Sequence, residues 1–214
     1  MMDIGLAFSF PFQDPDWVKK IAIAAVLNLI PLVGQIAVLG WTILLAKRVI
    51  AGEEHPMPDW DEAAEIFTAG LKAFVIGFLY ALPVLVIMFP ASLLGMFDNS
   101  GDSISIFEIG MICLSCLIAL YGLLISFLWP AAAGELAATD DLGTALNPGR
   151  ILHLFRAAPG AYIIVFLGIM AAGIVASFGV VLCFVGVLFT GAYAYAVQGH
   201  LIGQAYKQAS ASAA

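Results

Sequence analysis

The stretch AFVIGFLYALPVLVIMFPASLLGMF, residues 73–97, contains no charged side chain. About 20 consecutive apolar residues are enough to cross the hydrocarbon core of a bilayer, which is about 30 Å thick. The rest of the chain agrees, because 63% of its 214 residues are hydrophobic and only 11% are charged. Soluble domains have about 45–50% apolar and about 25% charged residues. The sequence therefore predicts an all-α, polytopic transmembrane helical bundle, with residues 1–214 forming a single membrane domain.

Five apolar runs follow one another along the chain, at 18–50, 70–97, 107–133, 159–178 and 180–201. The first run is interrupted by the stretch LIPLVGQ, in which Pro31 removes a helical hydrogen bond and Gly34 lets the backbone turn. Two interpretations follow. A hairpin of two short helices would give about six membrane helices in all, whereas one kinked span would give five.

The distribution of Lys and Arg favours the hairpin. It places all eight Lys and Arg residues on one side of the membrane, whereas a single span would leave Lys19 and Lys20 on the other. Cytoplasmic loops are enriched in Lys and Arg. We therefore expect the basic segments and both termini in the cytoplasm, and the acidic loop at 98–105, which has no base, outside.

Internal similarity also favours a hairpin architecture. A shift of 88 residues without gaps superimposes Gly34 on Gly122 and Trp41 on Trp129. The stretch FVGVLFTGAY in the last apolar run has the same spacing between a glycine and an aromatic residue. The pattern predicts three quasi-repeated hairpins, with limits near 14–52, 57–138 and 146–207.

The tripeptide Pro-Asp-Trp occurs twice in the chain, at 15–17 and at 58–60. Asp59 is an expected helix N-cap, and Glu62 three residues later completes a capping-box pattern. In the third unit the expected cap is Asn147, which precedes a proline. Tryptophan is common at the level of the lipid headgroups. We therefore expect membrane-interface anchors at Trp17, Trp41, Trp60 and Trp129.

Two amphipathic stretches, at 60–74 and 150–158, lie at the start of apolar runs. Such stretches are typical of helices that lie in the membrane interface. They are equally consistent with the cytoplasmic ends of long, tilted membrane helices. Both interpretations stay open at this point.

Three stretches resemble one known family. They are AKRVIAGEE at 46–54, PDWDEAAEIFTAGLKAFVIG at 58–77 and GHLIGQAYK at 199–207. They are similar to a group of prokaryotic membrane proteins known as domain-of-unknown-function family 4013. The resemblance covers about residues 14–207. It implies a location in the prokaryotic cytoplasmic membrane, but it does not indicate an activity or any catalytic or binding residue.

Few polar side chains lie in or near the apolar runs. His200 and Gln204 are four residues apart and share one helix face, and Gln198 lies close by, so these three residues are candidates for binding a ligand. Asn28 and Gln35 flank the break at Pro31 and are a second pair of candidates. The structural alternative is that all five satisfy neighbouring helices or freed backbone groups.

Composition and motifs exclude several classes of function. A net charge of −7 with no basic cluster argues against nucleic acid as a partner. His55 lies beside two acidic residues, but a metal site needs more ligands at fixed geometry. Cys113 and Cys116 lie in an apolar run, where small packing residues are expected. We expect no catalytic residues, no metal and no cofactor.

Two functional hypotheses remain. The first is a non-enzymatic scaffold or accessory subunit, whose partners are membrane lipid and other membrane protein subunits or further copies of itself. The second is a small transporter or channel for an uncharged or weakly polar solute, because internal repeats and broken helices are common in transport folds. The second hypothesis would be favoured if polar residues of the apolar runs faced a single cavity. These residues are Asn28, Gln35, Tyr121 and Ser126.

Overall fold

The computed structural model describes residues 2–95 and 106–213, and its regular structure there is entirely helical. Short 3₁₀ turns at Phe10–Gln13, Trp60–Glu62 and Phe178–Leu182 join some of the helices. The α-helices are α1 (Ile4–Ser9), α2 (Trp17–Leu27), α3 (Val33–Ala51), α4 (Ala63–Gly95), α5 (Ile106–Thr139), α6 (Leu142–Ala145), α7 (Pro148–Ala157), α8 (Pro159–Ser177) and α9 (Cys183–Ala213).

Within the described residues, five helical segments are long and apolar enough to cross a membrane. The prediction of an all-α, polytopic helical bundle is therefore confirmed. The five segments are Val33–Ala51, Trp60–Gly95, Phe107–Thr139, Pro159–Val181 and Val185–Ala213.

The first apolar run folds as a hairpin and not as one kinked span. α2 ends at Leu27, and a Cβ atom at Gly34 near the start of α3 would lie 1.8 Å from the Leu27 carbonyl oxygen. The reversal is tight, because the N–H of Val33 donates to the carbonyl oxygen of Pro31 at 2.7 Å. α2 has 11 residues. At 1.5 Å per residue it is about 16 Å long, which is too short to cross a bilayer. Among the described residues, the bundle thus has five helices long enough to cross a membrane and one short helical arm.

α3 and α4 are antiparallel and their backbones touch. A Cβ atom at Gly40 would lie 1.8 Å from the carbonyl oxygen of Ile66, and one at Gly70 would lie 2.0 Å from that of Ile36. Small residues allow membrane helices to approach this closely. The glycines therefore set the distance between the two helices.

α9 packs on the other side of α3 and runs parallel to it. A Cβ atom at Gly199 would lie 2.7 Å from the carbonyl oxygen of Thr42, and one at Gly203 would lie 2.8 Å from that of Ala46. Residue numbers increase in the same direction along both helices. α3 and α9 therefore finish at the same end of the bundle.

α4 and α5 form a long antiparallel hairpin. A Cβ atom at Gly77 would lie 3.5 Å from the Trp129 ring, and the Tyr121 hydroxyl donates to the carbonyl oxygen of Tyr80 at 2.7 Å. Since α4 is antiparallel to α3, α5 finishes at the same end as α3 and α9. In the most apolar part of the described span Phe107–Thr139, no residue is buried by the rest of the chain.

The N-terminal segment lies along α9 and runs antiparallel to it. The Asp3 backbone is hydrogen-bonded to Gln204, and the ring of Phe10 stacks on His200 with 4.4 Å between centroids. Farther along, the Tyr193 hydroxyl donates to the carbonyl oxygen of Phe8. The beginning of the N-terminal segment therefore lies at the same end of the bundle as the C-terminal part of α9.

We call the end at which α3, α5 and α9 finish the basic end. Ion pairs tie the beginning of α2 to the 57–59 segment and the beginning of α4 to the end of α5. All the basic residues lie at or near this end, as the charge analysis predicts: Lys19, Lys20, Lys47, Arg48, Lys72, Arg150, Arg156 and Lys207.

The two amphipathic stretches differ. α7 is a separate helix of 10 residues, because Ala158 leaves the helical conformation with φ −144° and ψ 62° before α8 begins. It buries Ile151 and Leu154 and exposes Leu152, His153 and Arg156, as expected for an interfacial helix. The stretch at 60–74 instead continues into α4 without a break. The first is a separate amphipathic helix, and the second is the start of a long apolar helix.

Two sequence predictions are not decided by the fold. The acidic loop at 98–105 lies outside the described residues. The three repeat limits remain a prediction, although α3, α5 and α9 share one direction as the repeat requires.

Candidate functional site

The second Pro-Asp-Trp is a contact point between three segments. The carbonyl oxygen of Pro58 accepts a hydrogen bond from the Trp41 indole at 3.0 Å, and the Trp60 indole donates to the carbonyl oxygen of Lys20 at 2.9 Å. The two indole rings stack, with 5.8 Å between centroids and 7° between planes. The tripeptide therefore joins α2, α3 and the beginning of α4.

Lys20 is buried at the centre of this contact. Its Nζ lies 2.8 Å from Asp14 Oδ2 and 3.1 Å from Asp59 Oδ1, and it donates to the carbonyl oxygen of Met57 at 2.9 Å. Burial alone would lower the pKa of the Lys20 ammonium, but the two carboxylates raise it above its ordinary value. The lysine is therefore charged and fully paired at neutral pH.

The capping box predicted at Asp59 is wrong. Asp59 is the N-cap residue of the 3₁₀ turn, but its side chain makes no capping hydrogen bond and pairs with Lys20 instead. Glu62 is hydrogen-bonded to the Arg48 guanidinium, with Nη2 and Oε2 2.6 Å apart. The predicted cap at Asn147 is confirmed, because its Oδ1 accepts from the N–H groups of Gly149 and Arg150.

The four tryptophans occupy different environments. Trp41 has no exposed surface, so it cannot reach lipid headgroups, and its expected role as an anchor is corrected to that of a core residue. Trp60 is half-buried against it. Trp17 packs edge-on against Phe12 at 5.0 Å, and Trp129 lies against Gly77 between α4 and α5. Trp17, Trp60 and Trp129 keep partial exposure.

A second buried polar cluster holds α7 to the bundle. Glu135 on α5 is 1% exposed, and both of its carboxylate oxygens lie 3.2 Å from Arg150 Nε. The Tyr206 hydroxyl donates to the same carboxylate at 3.1 Å. The nearby Tyr162 hydroxyl is buried and has no hydrogen-bond partner among the described residues. A buried charge needs partners, so the ion pair between Glu135 and Arg150 holds α7 against α5.

His200 and Gln204 line a cavity at the basic end, as their shared face predicts. The Gln204 amide lies 3.0 Å from His200 Nδ1 and is hydrogen-bonded to the backbone of Asp3. The cavity has a volume of about 660 Å³ and lies between the N-terminal segment, the end of α3 with its following loop, and α9. Gln198 is half-buried and does not line the cavity.

Asn28 and Gln35 lie at the opposite end of the first hairpin. Neither side chain forms a hydrogen bond with another described residue, and the turn is closed by backbone hydrogen bonds. Gln35 is exposed and Asn28 is half-buried. The structural role expected for them as partners of the broken backbone does not fit, and neither residue lines the cavity with His200.

An apolar groove of about 460 Å³ opens between α4 and α5. Tyr80, Tyr121 and Trp129 lie along it, and Gly77 and Gly122 leave it open. Of the four residues that would line a solute pathway, Tyr121 alone faces this groove. The polar stripe expected for a transporter is therefore not assembled in the described residues.

Sequence reasoning missed the two buried charge clusters. Lys20 carried a signal, since it was one of two lysines that conflicted with a single first span. No sequence pattern indicates the pair of Glu135 and Arg150, because the two residues are 15 positions apart and the turn that contains α6 brings them together. No group of described residues could hold a metal ion.

These features define a polytopic α-helical membrane protein whose polar contacts are concentrated at one end. The family model described as "Protein of unknown function (DUF4013)" matches residues 23–185, which is most of the chain. The chain belongs to this family, as the resemblance implied. The match ends before GHLIGQAYK, so the segment with His200 and Gln204 lies beyond it. Comparison with curated proteins and with solved structures found no match.

Proposed function

We propose that the protein is a non-enzymatic accessory subunit or scaffold that binds another membrane protein through the α4–α5 hairpin. One observation carries this proposal: in the most apolar stretch of α5, no residue is buried by the rest of the described chain. Ser115, Ala119 and Gly122 lie on one face of this stretch and are exposed. Small residues at this spacing are typical of helix–helix contacts in membranes.

The glycines show which helix faces are already occupied. Gly40, Gly70 and Gly199 each touch a neighbouring backbone within the chain. At Gly110 and Gly122 on α5, an added Cβ atom would meet nothing within 4 Å. The internal bundle therefore accounts for the first group and leaves the second without a packing role. A helix from another protein would give them one.

The groove beside Gly122 supports the same proposal. Its lining is almost entirely apolar, and the hydrogen bond from Tyr121 to Tyr80 fixes one wall. A transmembrane helix with a large aliphatic or aromatic side chain could insert that side chain between α4 and α5. Such anchor-in-groove contacts supply much of the affinity in protein interfaces.

The transporter hypothesis has less support. Its polar residues would need to face one cavity, and Asn28 and Gln35 lie away from both Tyr121 and His200. The polar cavity lies at the basic end, and the groove near the membrane-facing surface is apolar. Catalysis is a still weaker hypothesis, because each buried charge is already paired: Lys20 with Asp14 and Asp59, and Glu135 with Arg150.

Substitution of Gly122 by leucine is expected to remove the partner without disturbing the fold. Native mass spectrometry of the gently extracted wild type should show a second polypeptide at fixed stoichiometry. Gly122→Leu should retain about tenfold less of it, which corresponds to a loss of about 1.4 kcal/mol of association free energy. The matched control is Gly173→Leu on α8, where an added Cβ atom also meets nothing within 4 Å.

A lone chain in the wild type, or equal loss in both variants, would contradict the accessory role. A lone chain that retains a small molecule would instead support transport. A second copy of the same chain, lost from Gly122→Leu alone, would make the protein a self-assembling scaffold.

We further propose that the chain lies in a prokaryotic cytoplasmic membrane with its basic end and both termini in the cytoplasm. The location of all Lys and Arg at that end supports this orientation. In a variant with the native cysteines replaced, a cysteine at Val180 should react with an impermeant thiol reagent in intact cells. One at Glu54 should react only after lysis, and the reverse pattern would overturn the orientation.

A further inference from the structure

The cavity at the basic end has the size and shape of a small-molecule site. Its volume of about 660 Å³ lies within the range of about 300–1,000 Å³ that is common for ligand pockets. Its floor is formed by buried residues, with His200 5% and Phe10 4% exposed. Leu6 and Val49 add apolar surface to the walls. The α4–α5 groove belongs to other helices, so this site is independent of the proposed docking surface.

The hydrogen bonds around Gln204 fix the orientation of its amide. The N–H of Asp3 donates to Gln204 Oε1 at 2.7 Å, and Gln204 Nε2 donates to the carbonyl oxygen of Asp3 at 3.0 Å. The flipped amide would place two donors and two acceptors against each other. Gln204 therefore presents an N–H, and not its oxygen, to His200.

This orientation fixes the hydrogen position on His200. Its Nδ1 lies 3.0 Å from Gln204 Nε2 and must accept a hydrogen bond, so in the neutral ring the hydrogen is on Nε2. Nε2 has no hydrogen-bond partner among the described residues, and it is not completely buried. It therefore keeps accessible surface, and His200 lines the cavity. The floor of the cavity offers one N–H donor.

The charged residues around the cavity are mainly acidic. Asp3, Glu53 and Glu54 face a single ammonium group, that of Lys207. Glu53 lies 3.8 Å from the Arg48 guanidinium, which offsets part of its charge. Glu54 forms no ion pair with the described residues. Asp3 uses Oδ1 to cap α1, so Oδ2 is left for another partner.

We propose that this cavity binds a small organic cation that carries a primary ammonium and a neighbouring oxygen acceptor. The ammonium pairs with the carboxylates of Asp3 and Glu54, and the oxygen accepts the hydrogen bond from His200 Nε2. The short carbon segment between them lies against Leu6 and Phe10. Both a free amino alcohol and the headgroup of an ethanolamine phospholipid have this chemistry.

Isothermal titration of the purified full-length protein in detergent, with ethanolamine as the probe, tests the site. We expect saturable binding by the wild type. The double variant D3N/E54Q should bind about tenfold or more weakly, because each change removes a hydrogen bond between charged groups. Asparagine can still cap α1 at position 3, so the fold is preserved. The control is Asp61→Asn, an exposed acid outside the cavity, which should bind like the wild type.

A His200→Phe variant separates the two halves of the ligand. It should lose affinity for ethanolamine but not for ethylamine, which lacks the oxygen. Nanodiscs with phosphatidylethanolamine distinguish the sources: loss of ethanolamine binding there, but not in phosphatidylcholine, assigns the site to the lipid headgroup. Equal binding in both assigns it to the free amine. No saturable binding in detergent, or equal weakening by Asp61→Asn, would overturn the proposal.

Discussion

Substitution of Gly40 by alanine is expected to destabilise the protein by about 3 kcal/mol, the upper end of the usual cost of overpacking, although it adds only one methyl group. The added carbon would lie 1.8 Å from the carbonyl oxygen of Ile66 and close to the Gly70 backbone. These are backbone atoms of α4, which cannot move aside as a flexible side chain can. α3 and α4 would have to separate, and the contacts on both sides of α3 would loosen.

The matched control is Gly191→Ala on α9, where the added carbon meets nothing within 4 Å. Alanine is a better helix former than glycine by about 1 kcal/mol, so this variant should be as stable as the wild type or more stable. Thermal unfolding in detergent micelles, followed by circular dichroism, measures both. Equal midpoints for the two variants would show that α3 and α4 are not in backbone contact.

Much of the fold follows from local features of the sequence. The charge-free stretch at 73–97 predicts a membrane helix whatever its neighbours are, and α4 covers it up to Gly95. The reversal at Pro31 follows from backbone chemistry within a few residues. The cap at Asn147 is equally local, since its partners are two and three residues away. Such features need no knowledge of the tertiary structure.

Two sequence predictions are wrong because contacts between distant segments decide the role of the residue. The sequence around Asp59 predicts an N-cap, but the Asp59 carboxylate pairs with the buried Lys20 ammonium of α2 instead. Trp41 is of the residue type that is common at membrane interfaces. It lies in the core instead, where it stacks on Trp60 and donates a hydrogen bond to the Pro58 carbonyl oxygen. These contacts cannot be found from local spacing.

The candidate site could be predicted only in part, because some of its contacts are local in the sequence and others join distant segments. His200 and Gln204 are one helical turn apart, so their shared face could be predicted. Asp3, which completes the hydrogen bonds of Gln204, is 201 positions away in the chain. Asn28 and Gln35 flank a broken helix, which predicts a polar role for them, but the backbone groups of the turn form hydrogen bonds with one another.

Substitution of Lys20 by methionine is expected to cost about 3–5 kcal/mol, because it leaves a buried carboxylate without its partner. Asp14 is 5% exposed and lies 2.8 Å from the Lys20 ammonium. Methionine is similar in length and apolar, so the loss of packing is small. The carbonyl oxygen of Met57 also loses its hydrogen bond from Lys20, although Arg48 remains within 3.4 Å of it.

The measurement is the thermal unfolding midpoint at pH 7, and pH is not a confounding variable. The pKa of Lys20 is raised, so its charge contributes fully to the stability of the folded state at pH 7, well below the pKa of an exposed lysine, about 10.4. The contribution of the lysine charge is lost as the pH rises through the folded-state pKa of Lys20. The charge on the lysine is therefore complete in neutral buffer.

Two further variants identify the cause. Lys19→Met changes the neighbouring lysine, which is exposed, and should alter the midpoint little. The double variant Asp14→Asn/Lys20→Met removes the buried charge as well as its partner, and should recover a substantial part of the loss. If Lys20→Met and Lys19→Met have the same midpoint, the ion pair does not hold α2 to the 57–60 segment. If the double variant is less stable than Lys20→Met alone, the cost arises from lost packing and not from an unpaired charge.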